Sequence, residues 1–335
     1  MNKYSLVEVP DYSQWDEFVE SSPQGTIFSN SEYLQHIGRK FKLLYVLRGD
    51  ELKAGISLIL SDDEKSTELD DLVIYNGIMF VDDKRQKHVS AMFERFEITE
   101  YVINELDREY KKIEMALSPH FEDIRPFLWH NYHSENVEDK FSCIVKYTSY
   151  LNISDLADDN IREFDTEIFK NLERLRQRRI KESRMSHSIT VNDFDPDLFI
   201  TFYKNLLDSQ NIDVSLNKIK RIKNLLVFLL NSERAKSFSV LNHKKNVIYK
   251  TLFCFDSKRA YSLFGAGDLE KSERYKGTIA FWDAFKYLAK EKSIKEVDLE
   301  GVNSPKRGWF KLSFGGSLLP YFHVKKSETT LLIQR

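Results

Sequence analysis

The sequence predicts an α/β chain made of two similarly built units, each a mixed central sheet flanked by helices. Three observations carry that expectation. The chain has 335 residues, more than twice a typical domain of roughly 150. The order strand, helix, helix, three meandering strands, long helix, strand is read twice along it. Charge is also partitioned. Residues 1–150 hold 17 Lys and Arg against 28 Asp and Glu, a net of −11, while residues 151–335 hold 33 against 24, a net of +9. An acidic half joined to a basic half points to two differently specialised units. The basic half either faces a polyanionic ligand or simply attracts its acidic neighbour.

The elements follow from local pattern. Residues 4–9 read as a strand. Trp15 and Phe18 at i, i+3 mark a helix over 12–21. Ser29 and Asn30 offer caps for a helix over 31–38. Strands at 42–48 and 52–60 are turned by Gly49-Asp50, and a third covers 72–80. A long helix spans 88–110. Residues 112–117 form a strand that Ser118-Pro119 ends, a short helix follows Asp123, and 141–151 is a strand. The first domain is therefore placed at 1–150. A basic helical segment carrying Arg174, Arg176, Arg178, Arg179, Lys181 and Arg184 makes 151–186 a linker, and 187–335 the second domain. That domain opens with a strand at 188–192 and helices at 196–209 and 215–231. Strands follow at 236–242, 246–255 and 259–265. Ile279, Trp282, Phe285 and Ala289 give the helix over 277–291 one apolar stripe. Strands at 294–300 and 318–324 finish it.

Composition excludes several classes. The hydrophobic share is 41% and the charged share 30%, too apolar for a disordered chain. No stretch approaches the ~20 apolar residues that span a bilayer. The acidic N-terminal stretch lacks an apolar h-region, so a cytoplasmic protein is expected. Cys143 and Cys254 are far apart and form no CxxC pair, which points to buried thiols. The eight histidines show no HxxxH or HExxH spacing, so no metal is expected. No P-loop, Rossmann fingerprint or G-x-S-x-G elbow occurs.

Glycine marks the region to examine. Of 12 glycines, seven fall between Gly265 and Gly316, and none lies between Gly77 and Gly265. Glycine allows close backbone approach to a ligand. Arg274-Tyr275-Lys276-Gly277-Thr278-Ile279-Ala280 follows a strand and opens a helix. Exposed N–H groups at such a start bind phosphate, with Arg274 and Lys276 adding charge. The other reading is an ordinary helix start. Gly265 and Gly267 end the preceding strand, where a bulge would free N–H groups for an oxyanion, or they form a plain turn. Period-two alternation sets Asp298 and Glu300 on one strand face. They serve either as a proton acceptor or as ion-pair partners of Lys306, Arg307 or Lys311. Gly308 to Gly316, with Lys311 and Phe314, lines a substrate or packs as a turn. In the first half, Ser118, His120, Arg125 and Trp129 form a second cluster. Arg125 is suited to a phosphate or carboxylate, or the segment is a helix start that Asp123 caps. His120 is a ligand contact at a strand end or a lone surface histidine.

These residues resemble a family. Phe264-Gly265-Ala266, the run from Arg274 to Leu288, Val297 to Val302, Trp309-Phe310-Lys311 and Phe314-Gly315-Gly316 resemble FemAB-like GNAT transferases. So do Gly25 to Asn30 with Tyr33-Leu34, and Asp123 to Phe127 with Trp129. The loop at Arg274 also resembles the coenzyme A loop of GNAT acyltransferases, departing where Ile279 replaces a small residue. The resemblance implies two tandem GNAT domains with a substrate cleft between them. Some members aminoacylate peptidoglycan precursors from aminoacyl-tRNA; others acylate dTDP-linked amino sugars from acyl-CoA. The chain lacks a long heptad arm and a strong basic excess, which favours the second activity. It implies a dTDP-3-amino-3,6-dideoxyhexose N-acyltransferase, acetyl or 3-hydroxybutanoyl in type, for surface polysaccharide such as the lipopolysaccharide O-antigen. CoA would lie on Gly265, Gly267, Arg274, Lys276, Gly277 and Thr278. Lys40, Arg125, Trp129, Arg178, Arg179, Lys311 and Phe314 are the candidates for the nucleotide sugar. Glu300 and Asp298, with Ser118 and His120, are the candidates for proton transfer. Ser118-Pro119 stands where peptidoglycan-type members carry Asp-Pro. A tRNA-dependent ligase and a non-catalytic double-GNAT binding module are the alternatives.

Overall fold

The computed structural model describes residues 3–193, 195–271 and 273–327. The chain divides into two compact units. One runs to Lys146 and resumes at Pro320; the other is Tyr147–Leu319.

In the first unit, β1 (Ser5–Glu8), β2 (Phe41–Arg48), β3 (Glu51–Ile59) and β4 (Gly77–Phe80) form an antiparallel sheet in that order. The Asp11 carboxylate caps α1 (Tyr12–Ser21), which buries Trp15, Phe18 and Val19. Gly55 makes this possible, because a Cβ there would lie 2.4 Å from the Phe18 ring. Asn30 caps α2 (Ser31–His36). The strand expected at 72–80 is shortened to four residues. Asn76 explains why: its N–H donates to the Ala116 carbonyl at 2.7 Å, and its side-chain oxygen accepts the Ala116 N–H at 2.6 Å. Its hydrogen bonds thus go to Ala116 and not to β3. Next come α3 (His88–Glu109), β5 (Lys112–Ala116), α4 (Arg125–Trp129) and β6 (Ser142–Asn152). Leu44, Ile56, Ile78, Val102, Leu106, Met115 and Phe127 share one core.

The second unit begins within β6. It contains α5 (Glu167–Asn171), α6 (Arg174–Met185), β7 (Ile189–Asn192), α7 (Pro196–Ser209) and α8 (Leu216–Asn231). Then follow β8 (Ala235–Leu241), β9 (Val247–Phe255), β10 (Ala260–Gly267), α9 (Lys276–Glu291), β11 (Glu296–Asp298), α10 (Pro305–Leu312) and β12 (Ser317–Ser327). The strand order is β6-β11-β10-β9-β8-β7, with β10 and β11 the parallel pair. α9 packs Ile279, Phe281, Trp282, Phe285 and Leu288 into the main core.

Three expectations change. Residues 151–186 belong to the second unit instead of linking two domains, because Ile168, Phe169, Leu172 and Ile180 pack into the α9 core. Arg184 ties α6 to α9 by pairing with Asp283 at 2.5 Å and with Glu163 at 2.6 Å. Gly308–Gly316 is a turn only in its second half: Gly308 to Leu312 lie in α10, which Pro305 starts at a position where its missing N–H costs nothing, and Ser313 to Gly316 lead into β12. Gly308 suits that helix, since a Cβ would lie 2.0 Å from the Val302 carbonyl oxygen. Finally, residues from Pro320 to Ser327 return to the first unit, where His323 pairs with Ala116 and Ser327 with Lys112. The second domain expected at 187–335 loses that segment, and residues 328–335 lie outside the described ones. No helix among the described residues is long and apolar enough to cross a membrane.

Candidate functional site

The second unit contains a parting of two parallel strands. β10 pairs with β11 only at Ala260 with Val297 and Tyr261 with Asp298. After Asp298 the chain follows β6 instead, as Leu299 N–H donates to the Ser149 carbonyl at 2.8 Å. β10 runs on to Gly267 with β9 on one side. Among the described residues no strand pairs with its other edge. The register with β9 shifts between Ser262 and Phe264, so the bulge expected at the end of the strand lies nearer its middle. An unpaired strand edge presents backbone donors and acceptors to an extended ligand.

The start of α9 adjoins β10. Among the described residues no side chain caps it. The Lys276 N–H turns back to the Glu273 carbonyl at 3.4 Å, and the next N–H groups, of Gly277 and Thr278, have no partner within the helix, with the positive end of its dipole behind them. Arg176 of α6 reaches this start and donates to the Thr278 hydroxyl at 2.5 Å. Its guanidinium lies 4.9 Å from the Phe310 ring centroid, and its Nε is buried without a partner among the described residues. Burial pulls its pKa down from the usual arginine value. Arg274 is exposed. Lys276 is committed elsewhere: its ammonium donates to the Asp268 carbonyl and, at 2.8 Å, to the Lys271 carbonyl. It fastens the loop before the helix.

The glycines here accommodate a side chain. Gly267 is the cross-strand partner of Tyr249. A Cβ on Gly265 or Gly267 would come within 2.7 Å of Tyr249, and one on Gly277 within 3.4 Å. The Tyr249 ring thus occupies the space these glycines leave. Period and spacing in the sequence do not show this, because the ring comes from the neighbouring strand.

Where the two parallel strands part, three ionisable groups are gathered. Asp298 is fully buried, and its Oδ1 accepts from the Thr148 hydroxyl and, at 2.8 Å, from the Glu300 N–H. β11 ends at Asp298, and Glu300 and Gly301 adopt left-handed backbone with φ of +48° and +46°. The two carboxylates come together through this turn and not through strand alternation. Glu300 is buried and its Oε1 has no hydrogen-bond partner among the described residues. Burial, with the Asp298 charge behind it, holds its carboxyl well above the ordinary range. From α10, Lys311 Nζ donates to the Glu300 carbonyl at 3.2 Å. Burial pulls the Lys311 ammonium down. Both groups are therefore pushed toward their neutral forms, which suits proton exchange.

The other candidates are dispersed. Phe314 is fully buried, stacked on Phe281 with centroids 5.6 Å apart. That ring lies within the core and does not line a substrate. Arg178 is exposed on α6, while Arg179 pairs with Glu182. In the first unit, Ser118 is buried and its hydroxyl accepts the His120 N–H at 3.3 Å. Arg125 forms a two-pronged pair with Asp123, at 2.8 and 2.6 Å. Trp129 is exposed and set edge-on to Tyr132. Lys40 pairs with Glu64 at 2.5 Å on the surface. Sequence reasoning missed Thr148 and Tyr249, because each reaches the site from a neighbouring strand and no motif singles it out. Among the described residues no group of three or more His, Cys, Asp or Glu is placed to hold a metal.

No protein-family model matches the sequence, and no curated protein does. Solved structures do. The chain is similar to FemX, with a TM-score of 0.64 and 13% identity over 95% of this chain and 96% of that one. It is similar to a conserved protein of unknown function from Bacteroides thetaiotaomicron VPI-5482, with a TM-score of 0.58 and 11% identity over 98% and 100%. A tandem GNAT protein from the clavulanic acid biosynthesis pathway gives 0.51 and 10% identity over 96% and 97%. These are likenesses of fold: the chain has the tandem-GNAT fold of FemX-like proteins.

Proposed function

We propose that the protein is an N-acyltransferase that moves an acyl group from a CoA thioester to the amine of a nucleotide-linked amino sugar. One observation carries the reading: two parallel strands part beside a helix start that no side chain caps among the described residues. The free edge of β10 from Ser262 to Gly267 matches the alternating amides of an extended pantetheine arm. The α9 start, with Arg176 and Arg274, suits a pyrophosphate. Tyr249 would wall that site, since it fills the glycine positions. The CoA thioester supplies the activated acyl group. In the transfer, a bond forms from the sugar nitrogen to the acyl carbon and the carbon–sulfur bond breaks. CoA leaves as the thiolate, and the amine gives up a proton. Glu300, supported by Asp298 and Lys311, is the residue proposed to handle that proton.

Support for the sugar as acceptor comes from the sequence resemblance. The second reading is aminoacyl transfer from tRNA to a peptidoglycan precursor. The exposed Arg174 and Arg178 on α6 favour it. The two are separated by supplying acetyl-CoA with a dTDP-amino sugar in one assay, and aminoacyl-tRNA with a peptidoglycan precursor in the other. Amine-dependent release of CoA without RNA is expected. Transfer only from aminoacyl-tRNA would replace the first reading with the second.

A further inference from the structure

The start of α3 and the α4 cluster have no part in the reaction proposed above. The first ten residues of α3, His88 to Glu97, include none that is buried, yet four are apolar at helical spacing. Val89, Met92, Phe93 and Phe96 stand at i, i+3, i+4 and i+7, one face of the helix. Val89 is 70% exposed and Phe93 64%. Phe96 carries the Arg125 guanidinium 5.3 Å from its ring centroid. Arg125 opens α4, where Trp129 is 56% exposed. The apolar surface therefore runs from one helix to the other, and it is more than the scattered single residues a surface usually shows.

Charge tells what covers it. Residues 1–150 carry a net of −11, but Lys84, Arg85 and Lys87 precede α3, and no acidic residue occurs from Lys84 to Phe93. All three are exposed. Arg85 pairs with Asp83 at 3.1 Å, whereas Lys84 and Lys87 have no ion pair among the described residues. A row of exposed cations beside an exposed aliphatic and aromatic face is the chemistry of a helix lying in a bilayer interface. The cations meet anionic headgroups while Phe and Trp enter the acyl boundary. We propose that this α3–α4 face docks the protein on an anionic lipid surface, without spanning it.

The test is co-sedimentation of the full chain with vesicles of phosphatidylcholine alone and of phosphatidylcholine mixed with phosphatidylglycerol. Binding is expected only to the mixed vesicles, and weaker as salt rises. The double change Val89→Ser with Phe93→Ser should weaken it at least about tenfold. Lys84→Gln with Lys87→Gln should weaken it about tenfold or more at low salt. Both pairs are exposed, so the thermal midpoint should hold and report that the variants fold. If a variant does not fold, quenching of Trp129 by brominated lipid in the unaltered protein, and its loss in Trp129→Phe, decides instead. Failure to bind mixed vesicles would overturn the proposal, as would binding indifferent to Val89 and Phe93. So would self-association of the unaltered chain that the serine variant abolishes, which would assign the face to a second copy.

Discussion

α3 and α9 hold the same place in the element order of their units, and they differ in what they bury. α9 puts nine residues between Thr278 and Ala289 into its core; α3 buries nothing before Ile98. The strands that follow differ as well. β11 leads into buried Asp298 and Glu300, where burial and the Asp298 charge hold the Glu300 carboxyl well above its ordinary range. β5 leads into Ser118, a neutral side chain bonded to the backbone two residues on. A duplicated frame thus supports two different uses. The second unit spends its long helix on a core that holds ionisable groups out of water, where their protonation is shifted. The first unit leaves the corresponding helix start on the surface.

That contrast can be broken at its strongest point first. Glu300→Gln should slow acyl transfer about 10²–10⁴-fold while acyl-CoA affinity holds. Ser118→Ala should leave turnover within a few-fold. If the serine change were the more damaging one, the chemistry would belong to the first unit. Next is Phe314→Ala, which should cost about 3–5 kcal/mol by denaturant titration, because it empties a buried aromatic stack. Trp129→Ala should cost less than about 0.5 kcal/mol, as its ring faces water.

Acid sensitivity sharpens the comparison within the second unit. Burial works against ionisation of Glu163, but Arg184, Trp282 and Lys286 outweigh it and hold the carboxyl at about 2. A depressed carboxyl contributes stability above its ordinary value near 4.5 that is lost as pH falls toward 2. Glu163→Gln should therefore cost about 3 kcal/mol at neutral pH and progressively less in acid. Glu300 has the opposite sign. Its raised carboxyl contributes stability below the ordinary value that is lost as pH rises through the raised one. Glu300→Gln should gain thermal midpoint relative to the unaltered protein as pH rises. Equal slopes for the two variants would contradict the burial assigned to Glu300. The smallest effect is expected from Arg125→Gln, whose guanidinium is exposed and paired with Asp123. Turnover should not change, and a loss would return Arg125 to the substrate.

Most of the frame was legible because burial imposes periodicity. The stripe of Ile279, Trp282, Phe285 and Ala289 gave α9, and hydrophobic runs bounded by turns gave β2, β3, β9 and β10. α10 was not legible, since Gly308 breaks helical propensity and only its approach to the Val302 carbonyl makes glycine fit there. The site was legible as a region and not as a geometry. Asp298 and Glu300 were singled out by alternation along a strand that in fact ends between them, and a left-handed turn brings them together. Gly265, Gly267 and Gly277 marked a close approach, but what approaches is Tyr249 from the next strand. Phe314, read as lining a substrate, stacks in the core, because a run of aromatics and glycines carries no period that tells inside from outside.

The most direct test of the central claim, that the β10–α9 seam of the second unit binds a CoA thioester, is calorimetric titration of acetyl-CoA into the unaltered protein and into Arg176→Gln. Saturable binding at one site per chain, weakened about tenfold or more by the loss of a charge-assisted partner, is the predicted result. Absence of binding, or equal binding by both proteins, would contradict it.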